Sequence, residues 1–129
     1  MSISDYISKL ESTINSFSIV VAYELNIDRK TDDFAFITGR IEFRNDFALD
    51  FKEFVENTEE GIKKYKYAYN LRVESNTIFR YDNAPDPMAR NLRTFPCHKH
   101  LKSGEIVEYR QIELSDVLEE IERICIKGL

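Results

Sequence analysis

Five residues in one stretch of this chain have side chains that could do chemistry together: Arg80, Asp82, His98, Lys99 and His100. Arg80 and Asp82 stand two apart in Phe79-Arg80-Tyr81-Asp82. The chain's two histidines stand two apart at the end of Thr94-Phe95-Pro96-Cys97-His98-Lys99-His100. On extended backbone, residues two apart leave the same face, so each pair is presented side by side while Cys97 and Lys99 point the other way. Imidazoles titrate near neutrality. His98 and His100 could therefore act as general base and acid for attack by a ribose 2′-hydroxyl, with Arg80 or Lys99 stabilising charge and Asp82 orienting an imidazole. The same histidines with Asp82 also form a two-His, one-carboxylate set of the kind that binds transition metals. The plainer alternatives are a structural Arg80–Asp82 ion pair and two exposed histidines on a surface strand.

The surroundings are cationic. From Arg80 to Lys102 there are five cations against two anions, on a chain whose formal net charge is -5. Such a loop on an acidic body suits a phosphate-bearing ligand or an acidic protein partner, or it simply solvates an exposed segment. The phosphate-binding candidates are Arg80, Arg90, Arg93 and Lys99. The overall negative charge argues against nonspecific duplex-DNA binding. Cys97 beside His98 lacks a separate orienting histidine, so a partly buried thiol is its expected role rather than a nucleophile. Cys97 and Cys125 are the only cysteines and lie far apart, which fits free thiols in a reducing, cytoplasmic setting. No cofactor and no resident metal are assigned, and no apolar run reaches the length of a membrane span.

The elements that must position these residues are legible as a single domain, 1–129. Ile3, Ile7, Leu10, Ile14 and Phe17 recur at helical spacing, with Ser2 and Asp5 as a capping arrangement. Ser18 to Leu25 is nearly all apolar or β-branched and reads as a central strand, with Ile19 and Val21 in the core. Phe34 to Phe43 and Phe47 to Val55 follow, joined by an Arg44-Asn45-Asp46 turn; Phe54 falls out of phase, which predicts a bulge or a strand end near Lys52. Ile62 to Val73 alternates, with Tyr65, Tyr67, Tyr69 and Leu71 expected on one face, either packed under a helix or offered to unpaired bases. Asn76 to Asp82 is a shorter strand, and Ile106 to Ile112 holds another extended piece.

Ala84-Pro85-Asp86-Pro87 cannot continue a central strand, because proline lacks a ladder donor, so the chain leaves the sheet there. Ser115 is expected to cap a last helix with Val117, Leu118, Ile121, Ile124 and Cys125 on its apolar face, ended by Gly128. Short turns between consecutive strands imply an antiparallel meander. The fold class is α+β, with about five to six strands flanked by an N-terminal and a C-terminal helix.

Taken together, Phe79-Arg80-Tyr81-Asp82-Asn83-Ala84-Pro85 and Phe95-Pro96-Cys97-His98-Lys99-His100 resemble the TumE-type proteins, toxin components of prokaryotic toxin–antitoxin pairs. The resemblance covers most of the chain, through the Asp116-Val117-Leu118-Glu119-Glu120-Ile121 helix. It implies a small cytoplasmic toxin of a type II pair, with a helix-turn-helix antitoxin as partner. RNA is a candidate target, and self-association as a homodimer is left open. Members commonly carry histidines where this chain has Asp86, Pro87 and Cys97, so roles tied to those histidines do not transfer; Arg80, Asp82, His98, Lys99 and His100 match. The functional alternatives are a ribonuclease acting through the clustered histidines, a non-enzymatic protein- or nucleic-acid-binding module, and a metal-binding domain.

Overall fold

The computed structural model describes residues 1–128. Helix α1 (Ile3–Asn15) is followed by strands β1 (Val20–Arg29), β2 (Phe34–Phe43), β3 (Phe47–Thr58), β4 (Gly61–Val73), β5 (Asn76–Asp82), β6 (His98–Leu101) and β7 (Ile106–Glu108), then helix α2 (Leu114–Lys127). The strands form one antiparallel sheet in sequence order, β1 to β7. This is the α+β meander expected, with seven strands rather than five or six. The extra strand comes from the short β6–β7 hairpin, whose few residues give little periodicity to read.

Both helices lie on one face of the sheet. Tyr6 of α1 bonds Glu53 of β3, and Glu120 of α2 accepts from Tyr81 of β5; Glu53 and Tyr81 share a face through the cross-strand register. Ile3, Leu10 and Ile14 of α1, Leu114, Val117, Leu118 and Ile121 of α2, and Ile37, Ile41, Leu49, Phe51, Tyr69 and Leu71 of the sheet make the core. Gly39 sits opposite Phe51, whose ring occupies the place where a Cβ would stand, 2.3 Å away. The ring can lie across β2 only because that residue has no side chain.

The helix ends follow the chemistry of unpaired backbone groups. Ser2 and Asp5 form the reciprocal capping box at α1. At α2 that role falls to Glu113 with Asp116, so Ser115 lies inside the first turn and is not the cap. There the Asp116 side chain accepts from the Glu113 amide while the Glu113 carbonyl accepts from the Asp116 amide, an arrangement that the preference for Ser at caps obscured. Gly128 follows α2 at φ 83°, as expected.

Two further corrections concern the sheet. Val20–Arg29 is an edge strand, pairing only with β2, and Val21 is 67% exposed. Its apolar run reflects a bulge between Val20 and Ala22 and the packing of Tyr23, Leu25 and Ile27 on the helix side, not burial on both faces. Ile19 is buried. Ile19→Ala is accordingly expected to cost about 2–4 kcal/mol in denaturant melts, and Val21→Ala about 0.5 kcal/mol or less. Equal losses at the two positions would contradict this assignment of faces.

The second correction is the position of the bulge. It falls in β4, where Tyr65 is the extra residue opposite the Phe54–Val55 step of β3, and not at Lys52. Phase changes there. Lys64 turns into the core where Tyr65 was expected, and Tyr65 packs outside against Phe54. Glu53, fully buried, meets it: Lys64 Nζ lies 4.0 Å from Glu53, 2.7 Å from the Tyr69 hydroxyl and 2.7 Å from the Ile112 carbonyl. Tyr67 and Tyr69 are buried under the helices, so packing rather than base stacking is their role.

Burial holds the Tyr6, Tyr67, Tyr69 and Tyr81 hydroxyls well above the ordinary tyrosine range, reinforced by Glu53 at Tyr6 and Tyr69 and by Glu120 at Tyr81. Unfolded tyrosines ionise near pH ~10, so above that pH the folded chain binds more protons and stability falls as pH rises. A spectrophotometric titration should show these four hydroxyls ionising only together with unfolding. Ionisation of all seven tyrosines with an unchanged circular dichroism spectrum would refute it. Among the described residues, no helix is long and apolar enough to cross a membrane.

Candidate functional site

The face of the sheet away from the helices is polar, and the register builds the site on it. Arg80 pairs with His100 and Asp82 with His98 across the β5–β6 ladder. Four chemistry-bearing side chains from two sequence blocks thereby converge, since directly opposed and diagonal neighbours on one face lie within reach of each other. His98 Nε2 is 3.1 Å from Asp82 Oδ1, His100 Nε2 is 3.4 Å from Asp82 Oδ2, and the two Nε2 atoms are 3.0 Å apart. Arg80 Nε donates to Asp82 Oδ2 at 2.8 Å, and the Ala84 amide donates to Asp82 Oδ1 at 3.0 Å. His98 is 1% exposed and Asp82 4%. The His100 and Arg80 side chains are more open, at 26% and 40%.

The connector between β5 and β6 helps close the site. Asp86 accepts from the Met88 amide and Pro87 opens a single 3-10 turn, so these two residues shape the exit from the sheet. Arg93 then ties the connector to β7 by donating to Glu108 at 3.1 Å, and Glu108 is the register partner of His98. Those bonds hold the Glu108 carboxyl below its usual range. Pro96 supplies the last constraint: its carbonyl lies 2.7 Å from His98 Nδ1.

That contact orders the protons. A carbonyl only accepts, so His98 Nδ1 carries hydrogen. In neutral His98 the Nε2 lone pair is then free to accept from His100 Nε2–H. His100 is left with its own lone pair on Nδ1, the nitrogen directed away from His98. The arrangement can take up a proton at His100 and stabilise the resulting imidazolium with Asp82, itself held by Arg80.

Of the residues singled out in the sequence, Arg80, Asp82, His98 and His100 are brought together. Lys99 is not. Strand alternation sends it to the helix side, where Nζ donates to Glu120 at 2.8 Å and lies 4.8 Å from the Tyr81 ring centre. Arg93 is committed to Glu108, and Arg90 is exposed at the end of the 3-10 turn. Cys97 packs against the core as a free thiol.

Sequence reasoning passed over the neighbours of Arg80 on the open face. Thr38, Asp50, Lys52, Ala68, Asn70 and Arg80 line a depression of about 390 Å³. Their signal was present only as outward positions of three strands; register alone sets them in rows across the open face that lead to Arg80 and Asp82.

No curated protein and no solved structure matches the chain. A family model described as Toxin TumE matches residues 10–125, a span that holds every strand, the Asp82–His98–His100 cluster, the C-terminal part of α1 and most of α2. With so much of its length matched, the chain belongs to the TumE toxin family.

Proposed function

We propose that this toxin is a ribonuclease whose reacting group is His100, and that it forms a type II pair in the cytoplasm with a helix-turn-helix antitoxin. Family membership implies an antitoxin. The observation that carries the reaction is the Asp82–His98–His100 cluster, buried at one end and open at His100, with Arg80 beside it.

His100 Nδ1 accepts the proton of a ribose 2′-hydroxyl as the 2′-oxygen attacks the adjacent phosphorus. The bond from phosphorus to the 5′-oxygen breaks, solvent protonates that oxygen, and the products are a 2′,3′-cyclic phosphate and a 5′-hydroxyl. The proton on His100 then returns to solvent. Arg80 binds Asp82 through Nε, which leaves its terminal nitrogens for the phosphate oxygens that gain charge. His98 and Asp82 act through His100 as positioning residues, because His98 is too buried to touch a substrate. The depression beside Arg80 offers Thr38, Lys52 and Asn70 to a flanking nucleotide. Lys99 has no part in this reading.

The test is cleavage of a single-stranded RNA by the purified protein in EDTA, with products resolved by end-group analysis. A 2′,3′-cyclic phosphate end, and no cleavage where a single 2′-deoxy residue replaces the ribose at the cut site, are expected. Intact RNA, or equal cleavage at the deoxy position, would sink the proposal.

A further inference from the structure

Within the cluster one imidazole lone pair faces a carboxylate oxygen with no hydrogen between them. His98 Nδ1 spends its hydrogen on Pro96, so the Nε2 of neutral His98 is a lone pair. It faces His100 Nε2 at 3.0 Å and the carboxylate oxygen Oδ1 of Asp82 at 3.1 Å. His100 can satisfy the first contact by donating its Nε2 hydrogen. The second still sets a lone pair against an anion, inside a site where both partners are almost fully buried. Buried polar groups in such opposition are costly unless a cation lies between them. An extra proton on His98 can lie on one of these lines at a time. A metal ion sits on all of them.

The spacing fits a metal as well. Tetrahedral zinc has bonds of about 2.0–2.1 Å to nitrogen and about 2.0–2.2 Å to oxygen, which sets neighbouring ligand atoms roughly 3.3 Å apart. The two Nε2 atoms are 3.0 Å apart, and Asp82 meets His98 through Oδ1 at 3.1 Å and His100 through Oδ2 at 3.4 Å. One ligand atom from each residue lies within 4.8 Å of the other two, so a small turn of the carboxylate is needed to bring a single oxygen to a shared ion. The outer contacts match too. A ligating imidazole usually donates its other nitrogen to a carbonyl or carboxylate, as His98 does to Pro96, and a ligating carboxylate is usually hydrogen-bonded, as Asp82 is by Arg80 and Ala84. The partial exposure of His100 and Arg80 leaves the fourth coordination position open on the polar face.

We infer that Asp82, His98 and His100 bind one divalent transition-metal ion of the zinc class through the two Nε2 atoms and a carboxylate oxygen. Binding stands independently of the proposed reaction; its consequence for that reaction rests on it. An ion on His100 Nε2 leaves the hydrogen on Nδ1, the nitrogen that would accept the 2′-hydroxyl proton. The loaded toxin is therefore silent, and metal-free protein is the active form.

Cobalt(II) reports this directly. Metal-free full chain titrated with Co2+ should develop the visible d–d absorption of a four-coordinate site, saturating at one ion per chain and discharged by Zn2+. His98→Gln and His100→Gln should each weaken binding by at least about 10–100-fold. His100→Gln, at a partly exposed ring, decides the matter if the His98 variant does not fold. Absence of the band, or a band that survives His100→Gln, would overturn the site. RNA cleavage measured on the same samples separates the two ideas. A chain that binds cobalt but never cleaves keeps the metal site and loses the reaction; a chain that cleaves and shows no band does the reverse.

Discussion

Replacing His100 by Ala is expected to lower the rate of RNA cleavage by about 10²–10⁴-fold, the usual contribution of a positioned acid–base group, with little change in the melting temperature. The two halves of that expectation come from the same geometry. His100 is the open member of the cluster, and its ring contacts His98 and Asp82 without being sealed among them. Its loss removes the only imidazole that can touch a substrate while sparing the core. His98→Ala should also abolish cleavage, but with a stability cost, because it empties a fully buried position and strips Pro96 and His100 of a partner. Lys99→Met is the counter-control. It breaks the bond to Glu120 on the helix face and should leave cleavage within a few-fold of the original. Cleavage assays beside thermal melts distinguish these outcomes. Full activity of the His100 variant, or loss of activity with Lys99→Met alone, would displace the assignment.

Lys99 also marks the limit of what residue type and spacing convey about this site. The two blocks around Arg80–Asp82 and His98–His100 stand out by composition, and strand alternation alone places Lys99 opposite the histidines. Residue type and resemblance keep it among the candidates even so. What the sequence lacks is pairing. Nothing in either block states that Asp82 faces His98 across a ladder; that follows from the length of the connector and the β5–β6 register. The open-face depression is hidden for the same reason, since Thr38, Lys52 and Asn70 come from three strands. The helices and most strand limits are legible because their periodicity is local. The bulge in β4 is not, because one inserted residue reverses the face of everything beyond it, and only the partner strand reveals where it falls.

That reversal produces the feature with the largest expected effect on stability. Lys64→Met is expected to cost about 3–5 kcal/mol, the range seen when one partner of a buried ion pair is removed. Met matches the aliphatic stem, so the loss isolates the ammonium. Without it, the Ile112 carbonyl and the Tyr69 hydroxyl lose a donor, and the fully buried Glu53 carboxylate keeps only its bonds from Tyr6 and Tyr69. Glu113, half-exposed and 3.2 Å from Lys64, can turn to water and contributes little to the penalty. The double variant Lys64→Met/Glu53→Leu should recover much of the loss, since it removes both charges together and leaves the tyrosine hydroxyls as the remaining unpaired groups. Denaturant melts of the two single variants and the double form a cycle that measures the coupling. Additive losses would mean that the two charges do not sense each other. A loss below about 1 kcal/mol for Lys64→Met would mean that the lysine does not turn inward at the bulge at all.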